Sequence, residues 1–546
     1  MKKLFEGLFI LWIVFFVSVP APAQKTPLTV AESSNFTATS RYADVISFIE
    51  ALQRQSNLFH VETLCTSAEG RKVPLLIVGN PVPNSPRDLK YDNRMVVYIQ
   101  ANIHAGEVEG KEAVLMLLRD ILQQENPPYL DKLVLLLEPI FNADGNEKIS
   151  PGNRRNQDGP KAGVGIRYNG QNFDLNRDGM KLESIEVRAL VKNVLLKWDP
   201  VLLVDCHTTD GSYHEEPLTF SAVLNPNGSQ AVLRYMWDNM MPAIQKRFKE
   251  KFHTLSIPYG NWRDRSNPEK GWQTFGHQPR YLTNYVGVRN RMAILIENYA
   301  HADFKTRVYG NYNYLRSILD YFYENRDEIA RLIKQTDQGT IHRGMNPTAQ
   351  DSFAVEVDLQ PQKEKVTILG WKTKIEKKEG RQPRFIRTDE KKTYVVPYYT
   401  HFVPKKQVRF PYGYLIPVYA PDITQKLLQH GITVEKLTEP VKIEVEAFKL
   451  DEMKGSLRLF QGHRMNSVKG KYVMQKKEFP AGALFVSTAQ PLANLVASLL
   501  EPESDDGLLV WNFFDRYLAA EWRRTPQTYP VYKLYTPVNL VKKVVN

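Results

Sequence analysis

The feature that most constrains this chain is a series of short, unbroken apolar runs spaced by longer amphipathic segments. "VPLLIVG" (73–79), "MVVYIQA" (95–101), "LVLLLEPI" (133–140), "PVLLVDCH" (200–207) and "MAILIENYA" (292–300) are all of strand length. A strand without a polar face must be covered on both sides, as in a largely parallel sheet between helices. Helical periodicity fills the gaps at 106–124, 182–198 and 229–248, and a further helix at 311–335 closes the pattern. This alternation predicts a three-layer α/β domain over residues 41–338.

After about residue 340 the texture changes. "KVTILGWKTKIE", "TYVVPYYTHFVP" and "VKIEVEAFKL" alternate apolar and polar residues, as strands with one wet face do. Two strand–helix segments, 414–437 and 482–502, are set among them, so 339–546 reads as a separate, mixed β-rich α/β region. At 546 residues and 42 % hydrophobic, the chain can bury a large core in more than one domain. Its +12 charge is interleaved rather than blocked, which argues against a nucleic-acid partner. Lys2 and Lys3 precede an apolar stretch that ends in Ala21-Pro22-Ala23, so residues 1–23 read as a cleaved signal peptide. Export to the periplasm or beyond is expected, with no stable membrane insertion after signal removal. Residues 24–40 are polar and read as a flexible lead-in. The pairing state of Cys65 and Cys206 is left open.

In open α/β sheets the chemistry gathers where strands end and loops leave for helices. Here three strand ends deliver His104 and Glu107, His207, and Glu297. Two imidazoles and a carboxylate make a three-ligand zinc set with a position left for water, and a fourth group can act as base. H-x-x-E alone is a weak signal. Glu297 is stronger, because a carboxylate following "MAILI" on a buried strand is costly unless paired or used. Between these ends, residues 138–179 form a long Gly/Asn/Asp-rich loop carrying Arg154, Arg155, Asn176 and Arg177. Arginine's fork suits carboxylates and oxyanions.

The ordered set His104-Ala105-Gly106-Glu107, Asn142-Ala143-Asp144-Gly145, Asn153-Arg154-Arg155, Asp174-Leu175-Asn176-Arg177-Asp178, His207 and Glu297 resembles the zinc carboxypeptidases of the carboxypeptidase A/B type. The resemblance spans roughly 40–335 and implies a mixed, largely parallel sheet of about eight strands between helices. It implies one zinc per chain held by His104, Glu107 and His207, with Arg154 polarising the scissile carbonyl. Asn176 and Arg177 would grip the terminal carboxylate of a peptide or peptide-like substrate. Glu297 would take a proton from the zinc-activated water and pass it to the leaving amine. Family members of the digestive type carry an arginine where this chain has Gly106. Their substrate-closing tyrosine has two candidates, Tyr281 and Tyr285, of which Tyr285 is taken. Arg289, or Arg291 beside it, is expected to line the specificity pocket and favour acidic side chains.

The expectation is an exported zinc metallocarboxypeptidase. The alternatives are a periplasmic amidohydrolase acting on cell-wall peptides or N-acyl amino acids, and a non-catalytic peptide-binding protein on the same scaffold.

Overall fold

The computed structural model of the chain describes residues 26–209, 211–376, 384–518 and 527–545. Residues 1–23, expected to be a signal peptide, lie outside these residues. The first strands are β1 (Phe59–Thr66), β2 (Lys72–Val78), β3 (Met95–Ala101), β4 (Leu133–Glu138), β5 (Leu202–Thr209), β6 (Leu218–Ser221) and β7 (Ser256–Pro258). Two short strands, β8 (Asn261–Trp262) and β9 (Trp272–Gln273), precede β10 (Met292–Tyr299). Eight of them form one sheet in the order β1-β2-β4-β3-β5-β10-β6-β7. Pairing is parallel at the centre, β4-β3-β5-β10, and antiparallel at β1-β2, β2-β4 and β10-β6.

Every residue of β3 and β4 is buried, which is why these strands are apolar without alternation. Helices Glu109–Leu122 and Phe304–Glu324 pack together against the sheet. Between them Arg307, fully buried, donates to Glu109, which also accepts from Thr208 Oγ1. A buried charge is tolerated only when so paired, and this pair ties the sheet edge to both helices. The helix expected at 311–335 is two: Phe304–Glu324, capped by the Asp303 carboxylate on Thr306 N–H, and Arg326–Met345, with the break at Asn325.

Residues 26–40 are not a flexible lead-in. Val30–Ser33 forms a helical turn closed by a Thr29/Glu32 capping box, and Thr39 and Ser40 both donate to the buried Glu112 carboxylate. The polar composition that suggested mobility serves this hydrogen bonding instead.

Two long strands, β11 (Ser352–Glu376) and β12 (Arg384–Arg409), make an antiparallel hairpin that pairs with β9. The described parts of the basic stretch, 372–376 and 384–392, fall at its far end, where Lys391 and Lys392 pair with Glu215 and Glu269. A further sheet contains β13 (Gly413–Ile416), β14 (Glu435–Leu437), β15 (Val441–Gly455), β16 (Asn466–Phe479), β17 (Leu484–Ser487), β18 (Thr528–Leu534) and β19 (Lys542–Val544). It is not walled off from the first sheet. Tyr414, Ile416, Leu427, Phe448, Leu495 and Leu499 belong to the same buried apolar cluster as Val97, Leu203 and Ile294. Residues 41–338 and 339–546 therefore share a core, and the change of texture near 340 marks a change of architecture rather than a break in packing. Among the described residues no helix is long and apolar enough to cross a membrane.

Candidate metal centre and substrate cleft

The C-terminal end of β3 runs through Asn102, in a left-handed conformation (φ 65°), to His104; Glu107 closes a turn with its N–H on the His104 carbonyl. His207 lies on β5 and Glu297 on β10, in register as neighbours on parallel strands. Adjacent residues in such a pair point to the same face of the sheet. The four side chains thus meet at one sheet edge.

Glu107 sits between the two imidazoles. His104 Nδ1 is 3.1 Å from Glu107 Oε1 and His207 Nδ1 is 2.9 Å from Oε2. Ligand atoms of the three residues all lie within 4.8 Å of one another. The far nitrogens face carboxylates: His104 Nε2 is 3.0 Å from Asp174 Oδ1, and His207 Nε2 is 2.9 Å from Asp205 Oδ2. A carboxylate on the second nitrogen orients an imidazole and fixes which nitrogen is free for a metal. Two imidazoles backed in this way and one carboxylate, all buried, fit a tetrahedral zinc ion with one position open.

Burial alone would raise the Asp174 carboxyl, but His104 and Arg167 hold it well below the usual carboxylate range. Glu297 behaves oppositely. Burial pushes its carboxyl up to about 8, with Glu107 adding to the rise and His207 and Arg154 opposing it.

A cleft of about 250 Å³ opens over these residues, lined also by Arg154, Arg167, Asn176, Arg177, Tyr259, Phe275, Tyr281, Thr283 and Leu295. A larger cavity of about 840 Å³ lies elsewhere, around Tyr129, Tyr312 and Tyr323, and includes none of the ligand residues. Within the cleft, Asn176 Oδ1 accepts from Leu282 N–H, and Arg177 lies over the Tyr281 ring at 4.4 Å.

Arg154 is present but committed. Its Nε donates to Gln157 Oε1 (2.8 Å), Nη1 to Glu107 Oε1 (2.9 Å) and Nη2 to the Thr208 carbonyl (2.7 Å). Gly106 makes this possible, since a Cβ there would lie 2.5 Å from Arg154 Cδ and 2.9 Å from the Gly165 carbonyl. The space left by the missing side chain at 106 is filled by the Arg154 stem. Arg167, in the same loop, is freer: Nε is held by Asp174 Oδ2 at 2.8 Å, while Nη1 stands 3.9 Å from Glu107 Oε1.

Tyr285 and Arg289 do not reach the cleft. Tyr285 is fully buried, with its hydroxyl 2.8 Å from His430 Nδ1, and Arg289 donates to that hydroxyl and to the His430 carbonyl. They lie four residues apart on one face of the helix Leu282–Val288 and its cap, and that face packs on the C-terminal region. Arg291 pairs with Asp199 and Asp337. Arg289 and Arg291 are thus not left for acidic side chains, and Tyr281, at the cap of the same helix, lines the cleft together with Tyr259.

Sequence reading also passed over Arg167, Asp174 and Asp205 as working residues. Asp205 carried a usable signal: it is a carboxylate on an apolar strand, two residues before His207 and so on the same face. Arg167 carried none beyond its place in the Arg154 loop.

Residues 45–208 match the peptidase M14 family of zinc carboxypeptidases. Carboxypeptidase 2 of Trichophyton rubrum is 24 % identical over 529 residues, covering 91 % of this chain and 89 % of that protein. Carboxypeptidase 2 of Trichophyton equinum is 23 % identical over 513 residues, covering 89 % and 86 %. Among solved structures, a putative carboxypeptidase A from Shewanella denitrificans matches with 18 % identity and a TM-score of 0.38, covering 53 % of this chain and 69 % of that one. The match to the zinc carboxypeptidase family over residues 45–208 and the similarity to carboxypeptidases over most of the chain support a hydrolase of the metallocarboxypeptidase type.

Proposed function

We propose that the chain hydrolyses the last amide bond of peptides, or peptide-like substrates, that end in a free carboxylate, using one zinc ion held by His104, Glu107 and His207. The observation that carries this reading is the in-register pair His207 and Glu297, set beside Glu107 in a cleft that also holds Arg154, Arg167 and Arg177. When bound, zinc supplies Lewis acidity, lowering the pKa of water towards neutrality and polarising the scissile carbonyl. Asn176 and Arg177 grip the substrate's terminal carboxylate, and the Tyr281 ring fixes the Arg177 plane. Glu297 takes a proton from the attacking water and returns it to the leaving amine nitrogen. Arg167, rather than Arg154, faces the carbonyl oxygen as negative charge develops there, because Arg154 already serves Glu107 and the Thr208 carbonyl. The neutral lining of Tyr259, Phe275, Thr283 and Leu295 favours uncharged terminal side chains.

The deciding experiment is release of C-terminal residues from a mixed peptide library that includes N-acyl amino acids, with and without chelator. No zinc-dependent release from any member rejects the reading. Arg167→Ala is expected to lower kcat/KM by roughly 10²- to 10³-fold, the usual loss for one oxyanion donor. Arg154→Ala should act more on zinc affinity, through Glu107. The opposite pattern in steady-state kinetics and chelator competition would return the carbonyl role to Arg154.

Export is part of the proposal, supported by Lys2, Lys3, the apolar stretch and Ala21-Pro22-Ala23. In a secreting host the mature chain is expected to begin at Gln24, and N-terminal sequencing that returns an intact Met1 rejects it.

A further inference from the structure

The tip of the β15–β16 hairpin reaches across to the metal centre. Phe460 and His463 exchange backbone hydrogen bonds at 2.8 and 3.0 Å, closing a two-residue turn on Gln461 (φ 49°) and Gly462 (φ 81°). Two successive left-handed residues define a turn that selects Asn, Asp or Gly at its first position. A glutamine there is conformationally costly.

Its side chain is what that conformation delivers. Gln461 Oε1 accepts from the backbone N–H of Asp174 at 3.0 Å. Asp174 in turn faces His104 Nε2 and Arg167 Nε with its carboxylate, and caps the short helical turn Leu175–Arg177 that carries Asn176 and Arg177. The turn itself is pinned beside the cleft loop, with His463 Nε2 2.9 Å from Glu183 Oε1 and its ring edge-on to Trp511 at 5.5 Å.

We propose that Gln461 is a positioning residue: by holding Asp174 it aligns a zinc-ligating imidazole and the carboxylate-gripping turn at once. The C-terminal region thereby sets the quality of the metal centre without touching zinc or substrate. The kinetic part of this inference rests on the function proposed above; the zinc part does not.

The test uses the full-length chain with Gln461→Gly and Gln461→Asn. Both residues accept a left-handed φ, but neither places an acceptor at the Asp174 N–H. Thermal stability should hold, or rise for glycine. Zinc affinity by chelator competition should fall about 3- to 10-fold, below the 10- to 100-fold of a direct ligand partner because Gln461 acts one contact further out. kcat/KM on a C-terminal peptide substrate should fall by a similar or larger factor. Wild-type zinc affinity in both variants overturns the proposal. So does a loss of affinity that tracks a loss of Tm, which would mark a residue that only holds the fold. If wild type binds zinc but cleaves no peptide, the proposed function fails while the affinity measurements still decide Gln461.

Discussion

Glu297→Gln should bind zinc like the wild type, keep its Tm, and release C-terminal residues roughly 10²- to 10⁴-fold more slowly, the span that a positioned base contributes. Glutamine copies the size of glutamate and keeps its dipole but cannot take the proton. Zinc retention is expected because Glu297 is outside the set of three ligand atoms that cluster within 4.8 Å. Stability should not suffer either, since burial and the neighbouring Glu107 both oppose the Glu297 negative charge. The loss should fall on kcat with KM little changed, as the group acts on the reacting water rather than on the bound carboxylate. A variant with full kcat would remove Glu297 from the base role and leave the zinc set standing.

His207→Ala should be more drastic, because one deletion reaches the metal, the base and the fold. It takes away the imidazole 2.9 Å from Glu107 Oε2 and leaves that oxygen to the Thr208 N–H at 3.0 Å. Losing a ligand exceeds losing a ligand's partner, so zinc affinity should drop by more than about 100-fold. Activity should become undetectable at zinc concentrations that saturate the wild type. Stability gives a separate readout. Zinc at a hundredfold excess over its Kd should stabilise the wild type by about 2.7 kcal/mol, and His207→Ala should show no such zinc-dependent shift. A variant that retains one zinc per chain and the wild-type thermal shift would exclude His207 as a ligand.

What was readable in advance divides along physical lines. Continuous apolar runs can be satisfied in few ways, so β3, β4, β5 and β10 and the side chains at their ends were recognisable from local pattern. His104, Glu107, His207 and Glu297 converge because their strands are neighbours. Side-chain direction is set by what an element packs on, and that is not local. Tyr281 and Tyr285 occupy one short helix and its cap, yet one faces the cleft and the other His430. Arg154 and Arg167 share a loop, and the absent Cβ at Gly106 leaves the room that the Arg154 stem takes on its way to Glu107 and the Thr208 carbonyl. The shared core was hidden for the same reason: alternating strands after 340 reveal one apolar face but not the surface that covers it.

The hydrogen bond from Asp174 to Gln461 joins residues 287 positions apart, and this separation bears on the timing of assembly. As the chain is synthesised, every ligand exists once residue 207 has been made, and Glu297 follows well before the end. Asp174 nevertheless lacks its backbone partner until the hairpin tip at 461 has been made and docked. The ordering of the Leu175–Arg177 turn, proposed to grip the substrate, is thus deferred to the last third of the chain, so the hydrolytic competence proposed for it would arrive only when folding is nearly complete.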